Sequence, residues 1–162
     1  MAKTLAVLTA NAPNDSWLLM ISQPLMPYRM RIVEDTPDVS FRALSTADMV
    51  VLGPNVPRAR GMMTLRALTR TRMGTPALAV VSMAEPVDGV LDYLRQGASA
   101  AILDTDGPGE FMQAVEQVSG GRLYLSSGLI PVMLKRYREL CAEMRRKLAR
   151  GLTPSTICSR IG

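Results

Sequence analysis

Short apolar runs alternate along this chain with longer stretches whose apolar residues recur every three or four positions. The run over 4–9, Thr-Leu-Ala-Val-Leu-Thr, stops before the turn-forming residues Asn11, Pro13, Asn14 and Asp15, which predicts a buried strand. Trp17, Leu18, Ile21 and Leu25 follow at helical spacing, and Pro24 ends or kinks that helix early. Residues 30–33 predict a weaker second strand, and 48–53, Asp-Met-Val-Val-Leu-Gly, a third that stops at Gly53 and Pro54. Over 61–72 a helix would bury Met62, Leu65, Ala67 and Leu68 and expose arginines and threonines. The strongest strand signal is Ala-Leu-Ala-Val-Val at 77–81. Pro86 then opens a helix striped by Val87, Val90, Leu91 and Leu94 as far as Gly97. A fifth strand at 100–103 precedes a helix with Phe111, Ala114, Val115 and Val118 on its apolar face, ended by Gly120 and Gly121.

Five alternating strand–helix units predict an α/β fold. Parallel pairing needs a crossover, and right-handed crossovers place helices on the faces of the sheet, giving a doubly wound, five-stranded parallel sheet. In such a sheet a site belongs at the carboxyl ends of the strands, near the switch in strand order. That rule selects Ala10 and Asn11 after the first strand, Gly53 after the third, Ser82 after the fourth and Asp104 after the fifth.

Composition narrows the chemistry. At 162 residues, 48% hydrophobic and 20% charged, the chain suits one compact domain with a short appendage. It has no run of about 18 apolar residues, and its start, Met1-Ala2-Lys3-Thr4, leads straight into a strand. A cytoplasmic setting and no membrane partner are expected. The chain contains no histidine, which removes Ser-His and Cys-His nucleophile pairs. Its two cysteines, Cys141 and Cys158, are structural thiols and not a zinc site. No enzyme activity, metal or other cofactor is expected.

Charge is uneven. Residues 1–121 hold 10 Lys/Arg against 12 Asp/Glu, and 122–162 hold 9 against 2, so the segments carry −2 and +7. A localised basic excess attracts nucleic acid through counterion release, or solvates a helix face.

Two blocks resemble receiver domains of bacterial response regulators. Residues 48–61, Asp-Met-Val-Val-Leu-Gly-Pro-Asn-Val-Pro-Arg-Ala-Arg-Gly, are similar to the segment that carries the phosphoacceptor aspartate. Residues 97–104, Gly-Ala-Ser-Ala-Ala-Ile-Leu-Asp, are similar to the block that ends in a lysine. The resemblance covers about residues 3–121 and implies a flavodoxin-like receiver fold.

It also implies a pocket stripped of its chemistry. A working receiver holds Mg²⁺ through acidic residues after the first strand and the acceptor aspartate. Here Ala10 and Asn11 stand after that strand and Gly53 at the acceptor position, so neither the metal ligands nor the attacking carboxylate is present. Ser82 keeps a hydroxyl, as a retained switch or an ordinary strand-end group. Ala101 replaces the aromatic switch residue. Asp104 replaces the lysine and repels phosphate, or else caps the following helix. The expectation is an aspartate-less receiver, which Gly53→Asp alone does not repair. The space at Ala10, Gly53 and Ala101 admits a small-molecule ligand as a further reading.

The tail resembles the linker and early helices of a LuxR-type helix-turn-helix output domain. Leu134, Tyr137, Leu140, Met144 and Leu148 stripe a helix whose other faces carry Lys135, Arg136, Arg138, Arg145, Arg146 and Lys147, with Arg150 beyond. These basic residues contact DNA, or else the helix docks or dimerises with a solvated charged face. Leu152, Ile157 and Ile161 suit the buried side of a partial helix-turn-helix, and Gly162 precedes the place of a recognition helix. The chain is therefore expected to be a fragment of a longer regulator or a truncated binder. The expected organisation is a receiver-like domain over 1–121, a linker over 122–133 and a basic helical segment over 134–162.

Two functions remain open. One is a phosphorylation-independent transcriptional regulator that dimerises and binds DNA through a LuxR-type region. The other is a stand-alone pseudo-receiver that binds a protein or small molecule, with an exposed Tyr93 offering apolar contacts and the Met62–Met63 pair either joining it or, the favoured reading, packing inside.

Overall fold

The structure, a computed structural model, describes residues 2–10, 16–22, 28–36, 41–70, 74–82 and 87–151. Expectations that rest on Asn11, Pro24, Leu25, Pro86, Leu152, Ile157 or Ile161 lie outside the described residues. The chain divides into two compact units, Met1–Leu129 and Ile130–Gly162.

In the first unit β1 (Lys3–Thr9), α1 (Ser16–Ile21), β2 (Tyr28–Glu34), α2 (Phe41–Ser45), β3 (Met49–Leu52) and α3 (Arg58–Thr69) are followed by β4 (Ala77–Val81), α4 (Val87–Arg95), β5 (Ala100–Leu103), α5 (Pro108–Ser119) and β6 (Tyr124–Leu125). All strand pairs are parallel, in the order β2-β1-β3-β4-β5-β6. The sheet has six strands where five were expected. β6 was missed because two residues cannot show an alternation; it is recruited by Tyr124 N–H donating to Ser99 O and Ser126 N–H to Ala101 O, both at 3.0 Å.

The central strands β1, β3, β4 and β5 are apolar because both of their faces are covered. Leu5, Val7, Met49, Val51, Leu78, Val80, Ala100 and Ile102 join Trp17, Leu18 and Ile21 of α1 and Phe111, Ala114, Val115 and Val118 of α5 in one core. The intervening residues Ala6, Leu8, Val50, Leu52, Ala79, Val81, Ala101 and Leu103 are buried as well, and strand alternation turns them to the opposite face. α1 packs with α5, whereas α3 packs with α2 and α4. The short α2 escaped the periodicity, having a single buried residue, Leu44.

The α3 helix spans Arg58–Thr69 and buries Gly61, Thr64, Leu65 and Leu68. Tyr93, expected at the surface, is 6% exposed. Gly61 makes this possible, since a Cβ there would lie 2.9 Å from Tyr93 Cε1 and the bare backbone lets the ring in. Of the methionine pair, Met63 is exposed and Met62 half-buried.

In the second unit α6 runs over Ile130–Ala149 and has no buried residue. It starts before the expected position 134, and the 122–133 segment read as a linker contains β6.

Candidate functional site

β2 and β3 flank β1 on opposite sides, so the strand order reverses between β1 and β3. Next to this switch, at the carboxyl edge, lies a cleft of about 300 Å³ lined by Ser16, Trp17 and Met20 of α1, Pro54 and Asn55 after β3, and Asp104 after β5.

Gly53 ends β3 with its N–H donating to Leu8 O at 2.8 Å, and its carbonyl accepts from Val56 N–H at 3.2 Å, which turns the chain toward α3. A Cβ at Gly53 would sit 2.8 Å from Leu8 O. The position therefore offers no vacated side-chain space; β1 backbone already fills it. Ala10 is exposed at the end of β1, Ser82 is half-buried after β4, and Ala101 is fully buried between Ala79 and Leu125. Of the five expected pocket residues that are described, Asp104 is the one that lines the cleft.

Asp104 is not the cap of α5. That helix opens at Gly107 with Pro108 at its start and no side-chain cap, and the turn before it is held by Asp106, whose Oδ2 accepts from Leu103 N–H at 2.8 Å. Asp104 donates its backbone N–H to Val81 O at 2.8 Å, while its Oδ1 is buried without a hydrogen bond. Trp17 Nε1 is likewise buried and unpartnered, its ring packed edge-on to Phe111 with centroids 5.6 Å apart. Leaving such a group without a partner costs roughly 1–3 kcal/mol. Trp17, Met20, Pro54 and Asn55 went unnoticed as site residues because their sequence signals were a helix stripe and a turn.

A receiver-type fold implies a Mg²⁺ site, which needs several hard oxygen ligands. The described residues do not fit one. Gly53 and Ala10 carry no oxygen side chain, Asp104 is the one carboxylate lining the cleft among the described residues, and no group of three acidic, cysteine or histidine ligands occurs among them. No phosphotransfer step follows from this arrangement.

At the β6 edge Tyr124 donates from its hydroxyl to Glu110 Oε1 at 2.6 Å, and Ser127 N–H reaches the same oxygen at 3.3 Å. Partial burial, reinforced by the Glu110 carboxylate, pushes the Tyr124 phenol up to about 12.

The basic residues expected in the tail lie on or just after α6. Lys135, Arg138, Arg145 and Arg146 are exposed, Arg136 pairs with Glu139 at 3.4 Å, and Lys147 pairs with Glu143 at 2.7 Å. The Lys147 contact holds the Glu143 carboxyl below its usual range. Arg150 follows the helix, its backbone N–H bonded to Arg146 O and Lys147 O. Ile130, Val132, Leu134, Tyr137, Met144 and Leu148 are exposed apolar positions of the same helix.

No protein-family model matches the chain. It is 29% identical over 107 residues to the nitrate/nitrite response regulator protein NarL of Escherichia coli (strain K12), a match covering 66% of this chain and 49% of that protein. The chain thus spans about half the length of the curated relatives it matches. Among solved structures, a LuxR-family two-component response regulator from Aurantimonas sp. SI85-9A1 superposes with a TM-score of 0.63 at 16% identity, covering 85% of this chain and 99% of that one. The receiver domain of a sensor histidine kinase from Pseudomonas aeruginosa PAO1, with magnesium coordinated in its active-site cleft, gives 0.60 at 17% identity, covering 74% and 99%. The six-stranded parallel sheet and its helices have the fold of a response-regulator receiver domain, and over 107 residues the sequence is similar to a nitrate/nitrite response regulator.

Proposed function

We propose that this chain is an aspartate-less, phosphorylation-independent receiver of a transcriptional regulator that dimerises and binds DNA through a LuxR-type region, with the basic residues of α6 and Arg150 near the phosphate backbone. The observation that carries this is Gly53 at the acceptor position with Leu8 O in the space a side chain would need. The relationship to a nitrate/nitrite response regulator supports the regulatory part, and the net +7 of residues 122–162 supports a polyanionic partner. A signalling role and not catalysis agrees with this. No helix among the described residues is long and apolar enough to cross a membrane, which is compatible with the cytoplasmic setting proposed.

The test has two arms. Acetyl phosphate with Mg²⁺ should leave the chain unlabelled, as read by intact mass. A version carrying a complete output region should bind a preferred DNA sequence over competitor with a steep salt dependence; labelling, or binding without sequence preference at moderate salt, would overturn the proposal.

A second reading is favoured by the exposed apolar positions of α6: a pseudo-receiver that docks onto a protein or a second copy of itself. A strictly monomeric, partner-free chain at high concentration by light scattering would count against it.

A further inference from the structure

The apolar residues of α6 follow a heptad pattern. Ile130, Leu134, Tyr137, Cys141, Met144 and Leu148 succeed one another at alternating steps of four and three, the spacing at which two helices interlock side by side along one seam. Five of the six are exposed, and Cys141 is half-buried with its thiol outside any disulfide. A helix owes most of its stability in water to the packing of such a face, yet none of the 20 residues of α6 is buried. The stripe lacks that packing.

Charge indicates what supplies it. One flank of the seam carries Arg138 and Arg145, neither of which is in an ion pair among the described residues, and both are exposed. The other flank carries Met133, Leu140 and Lys147, and Lys147 is neutralised by Glu143 at 2.7 Å. In two copies lying parallel and in register, the arginine flank of each meets the apolar, neutralised flank of the other, where the arginine stems can lie along Met133 and Leu140. Antiparallel copies would set arginine flank against arginine flank, and like charges there repel. An acidic partner would suit the arginines but finds nothing on the second flank, whose lysine is already paired.

We propose that α6 packs along the α6 of a second copy of this chain as a parallel, in-register coiled coil, with the heptad residues in the seam. The inference rests on the dimeric part of the reading above and gives that dimer its surface. Lys135 and Arg146 then stand on the outer side of the helix, where a polyanion can reach them.

Cross-linking reads the geometry. In the full chain carrying Cys141→Ala and Cys158→Ala, Leu148→Cys is oxidised under mild conditions. Parallel copies bring the two thiols together across the seam, whereas antiparallel copies centred on the helix hold them about 27 Å apart, at about 1.5 Å per residue. Leu148→Cys should therefore give a disulfide-linked dimer, and Val132→Cys, on the outer side, should not. Sedimentation equilibrium of the native chain should show a dimer. Leu134→Ala, which keeps helix propensity, should raise its dissociation constant about a hundredfold or more, and Val132→Ala should leave it unchanged. A monomer at every concentration, no cross-link at 148, an equal cross-link at 132, or a dimer indifferent to Leu134→Ala would each overturn the proposal. The DNA reading fails separately. A dimer seamed through α6 whose version with a complete output region shows no DNA sequence preference sinks the regulator, whereas sequence-specific binding by a chain that does not cross-link at 148 sinks the seam alone.

Discussion

The carbonyl oxygen of Leu8 lies 2.8 Å from where the first side-chain carbon of any residue replacing Gly53 would be. The same oxygen accepts the Gly53 N–H at 2.8 Å, so β1 and the residue that follows β3 are drawn together there. Glycine here is required by a neighbouring backbone, which cannot swing aside as a side chain can.

Gly53→Asp therefore fails on two counts. On the proposed reading the carboxylate would still lack an acidic pair, and its Cβ would press on Leu8 O. Both Gly53→Ala and Gly53→Asp should lose about 1–3 kcal/mol in urea unfolding, and Gly53→Asp should remain unlabelled by acetyl phosphate with Mg²⁺. A stably labelled Gly53→Asp would show that the pocket retains its chemistry.

The contact between Gly61 and Tyr93 should behave as a coupled pair. Gly61→Ala places a methyl 2.9 Å from Tyr93 Cε1 and should cost about 1–3 kcal/mol. In a Tyr93→Leu background the same substitution should cost less, a coupling of about 0.5 kcal/mol or more in a double-mutant cycle. Strict additivity would mean that the helix shifts as a whole and no specific clash occurs.

Stability should fall in alkali through Tyr124. Its folded value, about 12, lies above the ordinary 10, so the folded state holds the phenolic proton more tightly than the unfolded chain does. That contribution is complete below about pH 10 and is lost as pH rises toward 12. Urea midpoints from pH 9 upward should decline more steeply for the native chain than for Tyr124→Phe; parallel curves would remove Tyr124 from the explanation.

If α6 contacts DNA phosphates, replacing Arg138, Arg145 and Arg146 by glutamate should weaken binding to all sequences alike. The slope of log K against log salt should become shallower by about 0.9 for every phosphate that is no longer neutralised. An unchanged slope would assign these residues to solvation of the helix and leave its apolar side as the functional face.

The repeating strand–helix pattern, and with it the parallel α/β architecture, was legible in the chain because burial on both faces leaves unbroken runs such as 77–81, and amphipathic helices leave a period. That the strand ends carry a glycine at 53 and a carboxylate at 104 was legible too, because residue type alone decides whether a carboxylate or a cation exists there. Tertiary structure decided the rest. Two residues of β6 carry no pattern, and only hydrogen bonds to Ser99 and Ala101 make them a strand. Whether Tyr93 is buried depended on a bare backbone at Gly61, on a different helix. The cleft itself is walled by Trp17, Met20, Pro54, Asn55 and Asp104, which no local spacing relates. Their meeting, and the two unpartnered polar atoms it creates, follows from crossovers that bring the ends of β3 and β5 beside α1, a long-range arrangement that composition and periodicity do not encode.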